Sequence, residues 1–220
     1  MANVGQQVPN FKGVTSVGEI DLHHYIDGCW CVIVTHPNMF DAIHTTEVGH
    51  LSKMQKEFEA RNCKLIGVTV GCLEDLEDWL QDVNLLQSCE VNYPIIADED
   101  AEISRLLGVI ANDAGPVASR FKLPISSTLI IDIDKNIQVQ QVYPCITGRN
   151  FYETLRALDS LQLSLFHQVA TPANWKHGEE CIVLPSMNSE EARECFPEGF
   201  TELKPYHRMV EQPGAQKEEF

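Results

Sequence analysis

The sequence is poor in basic residues. It has 16 Lys and Arg against 32 Asp and Glu, so its 220 residues carry a net charge of −16. A surface of this charge repels the phosphates of nucleic acids and the headgroups of anionic lipids. We therefore expect no nucleic acid and no membrane among the partners of this protein.

Long apolar runs are also absent. No stretch approaches the roughly 20 residues that a helix needs to cross a bilayer, and the first residues contain neither a basic region nor an apolar signal core. A composition of 44% hydrophobic and 22% charged residues is typical of a folded globular protein. We expect a cytoplasmic location.

The eight cysteines lack the spacings of metal ligands. None belongs to a C-x-x-C pair, and none combines with histidine at the spacing of a zinc finger. In a cytosolic chain of this size, reduced and mostly buried thiols are expected. The sequence predicts no metal and no cofactor.

The spacing of apolar residues alternates between strand and helix patterns. The continuous apolar run Trp30–Thr35 predicts a strand buried on both faces, and the three-to-four spacing within Thr45–Arg61 predicts an amphipathic helix. Ser127–Ile133 and Ile137–Tyr143 read as two strands joined by a polar turn. Together these patterns predict an α/β fold with a mixed central sheet.

Several separated segments carry the motifs of one family in the same order. They are Val8-Pro9-Asn10-Phe11, His36-Pro37, Thr45-Thr46-Glu47, Tyr93-Pro94-Ile95-Ile96-Ala97-Asp98, Thr147-Gly148-Arg149-Asn150-Phe151 and Ala170-Thr171-Pro172-Ala173-Asn174-Trp175. On these motifs the chain resembles the 1-Cys peroxiredoxins, in the peroxiredoxin-6-like branch, over roughly residues 5–204.

The resemblance implies a division of the chain into parts. Residues 5–168 are expected to form a thioredoxin-like (peroxiredoxin) domain, and residues 169–204 the C-terminal extension that the family uses in dimer contacts. Residues 205–220 are expected to form a flexible tail. The partner implied by the family is a second copy of the chain in a homodimer, and assembly beyond the dimer is left open.

The chain departs from the family at the peroxide site, which in relatives contains a cysteine thiolate, a Thr or Ser hydroxyl and an arginine. The resemblance places His44 at the cysteine position, Asp41 at the hydroxyl position and Ser126 at the arginine position. An imidazole cannot be oxidised to a sulfenic acid and recycled. We therefore expect that the family's thiol peroxidase chemistry is lost at this site.

The replaced residues define a candidate acid–base pocket, since two histidines and a carboxylate around a cavity can move protons. The candidate catalytic residues are His44, Asp41 and His36, and the candidate substrate-binding residues are Pro37, Arg149 and Ser126. His36, His44 and Asp41 are also a plausible ligand set for a divalent metal, but their spacing matches no recognised site.

Simpler interpretations of the same residues remain open. Asp41 is a residue type that caps helices, His36 can be a structural histidine, and His44 can simply fill the space of the lost group. Arg120, in the loop before Ser126, is a further candidate for reaching the pocket.

Three functional hypotheses follow. The first is a binding or regulatory homologue that has lost peroxidase activity. The second is an enzyme repurposed for acid–base chemistry on a small organic molecule, with His44 as acid or base and Asp41 as its partner. The third is a residual thiol peroxidase that uses another cysteine, either Cys145 or Cys89.

Overall fold

The computed structural model describes residues 3–110 and 125–214. Contacts along the chain separate two compact units, Met1–Phe151 and Tyr152–Phe220. The sequence-based bounds 5–168 and 169–204 stay a prediction. Arg120 lies outside the described residues.

The first unit is built on a mixed sheet. Within the described residues this sheet has seven strands in the order β2-β1-β5-β4-β3-β6-β7. The strands are β1 (Lys12–Thr15), β2 (Gly18–Asp21), β3 (Trp30–His36), β4 (Cys63–Thr69), β5 (Ile95–Ala97), β6 (Ser126–Ile131) and β7 (Ile137–Tyr143). Strands β3, β4 and β5 are parallel, and the other pairings are antiparallel. The predicted α/β fold with a mixed central sheet is confirmed.

Strand β3 lies in the interior of this sheet. All seven of its residues are buried, as its continuous apolar sequence predicts for a strand covered on both faces. One face packs into an apolar cluster that includes Cys31, Ile33, Ile66 and Val68. The opposite face carries His36, since neighbouring residues of a strand point to opposite sides.

Four helices in the described part of the first unit connect the strands. They are α1 (Leu22–Tyr25), α2 (Ala42–Glu59), α3 (Leu73–Gln87) and α4 (Glu102–Leu106). Helix α2 begins at Ala42, before the predicted start at Thr45. The reason is Asp41, whose carboxylate accepts hydrogen bonds from the backbone N–H groups of Ile43 and His44 and so supports an additional turn. No helix in the described ranges is long and apolar enough to cross a membrane.

Helix α5 (Phe151–His167) leads into a second, smaller sheet. This sheet has the order β10-β11-β9-β8 in the described residues. Its elements are β8 (Val169–Ala170), β9 (Cys181–Val183), helix α6 (Ser189–Cys195), β10 (Thr201–Lys204) and β11 (His207–Val210).

The predicted flexible tail from residue 205 needs a correction, because ordered structure continues past that point. Strand β11 pairs with β9 through Met209 and Val210. The side chain of Arg208 is buried and donates hydrogen bonds to the carbonyl oxygens of Leu184 and Met187. The sequence does not predict these interactions, because the segment after residue 204 has no apolar pattern typical of a strand.

Candidate functional site

The residues of the predicted pocket meet at one end of the sheet of the first unit. His36 ends β3, His44 lies in the first turn of α2, and Ser126 begins β6. Strands β3 and β6 are antiparallel neighbours, with Thr35 opposite Ser127. The end of one strand and the start of the other therefore lie side by side, and the predicted grouping of these side chains is present in the structure.

The imidazole of His44 is enclosed by protein. Its side chain is 1% exposed, and both ring nitrogens have polar partners. Nδ1 lies 3.2 Å from the carbonyl oxygen of Asn38 and 3.4 Å from Oδ1 of Asp41, and Nε2 lies 3.4 Å from Oγ of Ser126.

These partners define the proton positions of His44. The carbonyl and carboxylate oxygens near Nδ1 are acceptors, so Nδ1 carries the proton in the neutral ring. Nε2 then accepts a hydrogen bond from the hydroxyl of Ser126. Burial lowers the pKa of His44, against the opposing pull of the Asp41 and Glu47 carboxylates. The ring is neutral, and its hydrogen-bonding capacity is used within the protein.

Asp41 acts first as a helix cap. Its Oδ1 accepts from the backbone N–H groups of Ile43 and His44 at 2.9 and 3.0 Å. These distances are shorter than the 3.4 Å to His44 Nδ1. The carboxylate of Asp41 therefore binds the backbone at the start of α2 more tightly than it binds the imidazole of His44.

A carboxylate, an imidazole and a hydroxyl thus follow one another as Asp41, His44 and Ser126. This order is that of a Ser-His-Asp triad. Acyl transfer also needs free donors for the developing oxyanion and access to the nucleophile. The N–H groups of Ile43 and His44 already donate to Asp41, and Ser126 is buried. The arrangement therefore matches a closed hydrogen-bonded chain better than an open nucleophilic site.

A second group of buried side chains, Arg149, Glu47 and His36, lies next to this site. The guanidinium of Arg149 donates from Nε to Oε1 of Glu47 at 2.9 Å, and from Nη2 to Oε2 of the same carboxylate. It also donates from Nη2 to Nδ1 of His36 at 3.2 Å, and from Nη1 to the carbonyl oxygen of Ser127 at 2.8 Å. The side chains of Arg149, Glu47 and His36 are almost completely buried.

The electrostatics of this group follow from burial and pairing. Burial lowers the pKa of His36 to about 4, although the neighbouring Glu47 carboxylate opposes the shift. Burial alone would raise the pKa of Glu47, but hydrogen bonds from the Arg149 guanidinium hold it well below its usual range. The result is an ion pair of Glu47 and Arg149 beside a neutral His36.

Arg149 and Pro37 were predicted to bind substrate. The hydrogen bonds of Arg149 go to protein groups, and Pro37 is buried in the chain that leaves β3. A binding role for either residue stays a prediction. Sequence reasoning missed Glu47 as a site residue, although Glu47 belongs to the Thr45-Thr46-Glu47 motif. The available signal was an acid one helical turn after His44, on the same face of α2.

All eight cysteines are free thiols, and residues 36–47 contain none. Burial raises the pKa of Cys31 and of Cys63. Cys145 is exposed and Cys89 is half-buried. Across the ranges 3–110 and 125–214, no group of three or more His, Cys, Asp or Glu side chains is arranged to hold a metal ion.

Comparison with known proteins gives a consistent set of matches. Residues 4–140 match the AhpC/TSA family, and residues 160–199 match the C-terminal domain of 1-Cys peroxiredoxin. A 1-Cys peroxiredoxin of Dictyostelium discoideum is 40% identical over 210 residues, which are 96% of this chain and 85% of that protein. Peroxiredoxin-6 of Homo sapiens is 37% identical over 223 residues, covering 96% of this chain and 97% of its own.

A solved structure agrees over the same length. A cysteine-to-serine mutant of peroxiredoxin 6 from Arenicola marina superposes with a TM-score of 0.89 at 34% identity, covering 98% of this chain and 100% of that one.

Proposed function

The chain belongs to the 1-Cys peroxiredoxin family, and we propose that it is a member in which a closed imidazole site has replaced the thiol peroxide site. In this proposal His44 occupies the position of the peroxidatic cysteine, and the protein acts as a binding or regulatory homologue. The family fold is thioredoxin-like with a mixed sheet and a C-terminal domain.

One observation carries the proposal. The His44 ring is 1% exposed and its two nitrogens are occupied by Asn38 and Ser126. A peroxidatic site needs a group that peroxide can reach and oxidise, and an imidazole does not form a recyclable sulfenic acid. A general base likewise needs a lone pair within reach of its substrate. The enclosed ring therefore favours loss of catalysis over repurposed catalysis.

The position of His44 is supported by its surroundings. It lies in the first turn of α2, after Pro37 and directly before Thr45-Thr46-Glu47, as the family motif requires. Ser126, at the position proposed for the arginine, contacts the same ring. Asp41 and Ser126 thus both lie against the ring of His44, which supports a joint replacement of the three residues.

A second candidate function rests on the Asp41–His44–Ser126 order. If α2 and β6 separate enough to admit a small organic molecule, the neutral His44 would act as the base and Asp41 would orient it. An NMR titration of His44 tests this candidate. A pKa near that of an exposed histidine, together with no response to small-molecule screening, would remove its support.

The main test is peroxide turnover. We would measure hydrogen peroxide and alkyl hydroperoxide reduction with glutathione and with thioredoxin, because a yeast relative at 34% identity is described as resolving its thiol through these systems. The parent protein is compared with His44→Cys and with the triple variant His44→Cys/Asp41→Thr/Ser126→Arg. We expect an inert parent and activity in the triple variant, with circular dichroism confirming the fold of each variant.

A parent rate well above that of free cysteine would contradict the proposal and favour the residual peroxidase. Cys145→Ser and Cys89→Ser would then identify the thiol, since Cys145 is exposed and Cys89 half-buried. Of these two, Cys145 is the one that peroxide reaches more easily.

The homodimer and the cytoplasmic location belong to the same proposal. The C-terminal match over residues 160–199 supports self-association, and sedimentation of the full chain tests it. A monomer at micromolar concentration would contradict the dimer without affecting the assignment of His44.

A further inference from the structure

Two buried polar groups are neighbours on the sheet and lack hydrogen-bond partners. His36 and Thr69 are register partners on the parallel strands β3 and β4, so their side chains point to the same face. Both residues are completely buried. Within the described part of the chain, neither Nε2 of His36 nor Oγ1 of Thr69 has a partner. Buried groups of this kind are almost always satisfied in folded proteins.

The hydrogen bonds of His36 show that Nε2 is a donor. Arg149 Nη2 lies 3.2 Å from Nδ1, and a guanidinium can only donate. Nδ1 therefore presents its lone pair, and in the neutral ring the proton is on Nε2. The unmatched group is an N–H that needs an acceptor.

The strand order places Thr69 on the side of β3 that lies opposite to β6. Arg149 also donates to the carbonyl oxygen of Ser127 in β6, on one side of β3. Strand β4, with Thr69, lies on the other side of β3. Nε2 of His36 and Oγ1 of Thr69 therefore belong to adjacent strands, and their side chains lie on the same face of the sheet.

The surrounding rings do not supply the missing partner. The His44 ring centroid lies 5.7 Å from that of His36, and the Trp79 centroid lies 6.3 Å away, both in edge arrangements. The nitrogens of His44 are bonded to Asn38 and Ser126, and Trp79 Nε1 donates to Thr45 at 2.9 Å. The acceptor for His36 must come from elsewhere.

We propose that His36 Nε2 and Thr69 Oγ1 form a binding site for one small neutral hydrogen-bonding molecule, with water as its ordinary occupant. The molecule accepts the N–H of His36 and exchanges a hydrogen bond with the Thr69 hydroxyl. Two polar partners are enough to hold a buried water. A neutral occupant fits because the adjacent charges of Glu47 and Arg149 already pair with each other.

Crystal structures of the parent, Thr69→Val and Ser127→Ala test the site. Ser127 is the matched control, because its hydroxyl is also buried and unpartnered but lies on the opposite face of the sheet from His36. We expect density within hydrogen-bonding distance of both atoms in the parent and in Ser127→Ala, and its loss in Thr69→Val. A direct hydrogen bond between Nε2 and Oγ1 in the parent, or density that persists in Thr69→Val, would overturn the site.

A solution measurement on the unmodified protein keeps the test decisive if Thr69→Val does not fold. NMR cross-relaxation between the Nε2–H proton of His36 and a long-lived water is expected for an occupied site, whereas its absence would overturn the proposal. This result does not depend on peroxide turnover, so the site and the proposed function can fail separately.

Discussion

The two sides of the site around α2 use different kinds of interaction. On one side, Glu47 and Arg149 form a buried ion pair that also holds His36. On the other side, the neutral ring of His44 is held between Asn38 and Ser126 by longer hydrogen bonds. The first side is charged and tightly paired, and the second is neutral and loosely paired.

From this difference we expect the two sides to tolerate substitution to different extents. A buried charge depends on its partner, because the loss of one member leaves the other uncompensated. The motifs that carry the family resemblance include both Glu47 and Arg149. The three departures that we propose, at His44, Asp41 and Ser126, fall on the other side. We therefore expect substitutions on the charged side to destabilise the fold more than substitutions on the side of His44.

The largest loss of stability is expected from breaking the ion pair between Glu47 and Arg149. Arg149→Met leaves the Glu47 carboxylate buried without its cation, and we expect a loss of about 3–5 kcal/mol in the free energy of unfolding. Chemical denaturation measures the loss. The double variant Glu47→Gln/Arg149→Met should recover part of it, because the unpaired charge is gone. A double variant as unstable as the sum of both single variants would show that the pair is not the scaffold.

The next test uses pH. His36 is neutral in the folded protein with a pKa of about 4, whereas the unfolded chain binds a proton near the usual value of 6.5. The unfolded state therefore gains protons first, and stability falls as the pH drops from about 6.5 to about 4, by about 3 kcal/mol in total. Above pH 6.5 this contribution is fully present. Below pH 4 it changes no further.

The matched variant for this pH test is His36→Asn, which is neutral throughout the range. Urea unfolding at a series of pH values should show a shallower loss of stability for the variant than for the parent. Equal slopes in the two proteins would mean that His36 titrates normally. The depressed pKa of Glu47 acts in a separate window, below its ordinary value near 4.5.

A smaller effect is expected on the neutral side. His44→Ala removes a buried ring and leaves the Ser126 hydroxyl without its partner, which should cost about 1–3 kcal/mol. Lys53→Ala, on the exposed face of the same helix, serves as the control and should change stability by no more than about 0.5 kcal/mol. Denaturant midpoints compare them. A loss for His44→Ala as large as that for Arg149→Met would remove the distinction between the two sides.

The sequence revealed much of this arrangement, and the omissions have physical reasons. The buried run of β3 and the apolar spacing of α2 predicted their elements, because burial on two faces or on one leaves a direct pattern in the residues. The grouping of His36, Asp41, His44 and Ser126 came from the family resemblance. That the ring of His44 is enclosed could not be predicted, because exposure depends on how α2 and β6 approach each other.

The interactions of charged residues were the least visible in the sequence. Arg149 lies far from Glu47 along the chain. Arginine and glutamate do not by themselves predict burial, since both are usually exposed. Arg208 was placed in a flexible tail for the same reason. A buried arginine looks like a surface arginine until the fold brings an acid or carbonyl oxygens to it.

The smallest expected effect separates the two roles of Asp41. If the carboxylate mainly caps α2, Asp41→Ala should lower the free energy of unfolding by about 1 kcal/mol. Asp41→Asn should lower it by only about a few tenths of a kcal/mol, because asparagine caps nearly as well. If the charge beside His44 matters more, Asn will be as harmful as Ala, and the pKa of His44 will fall further in both variants, because the carboxylate now raises it. Denaturation and NMR titration of the two variants decide between these outcomes. We expect the capping result, since the 2.9 and 3.0 Å bonds to the backbone are shorter than the 3.4 Å contact to the ring.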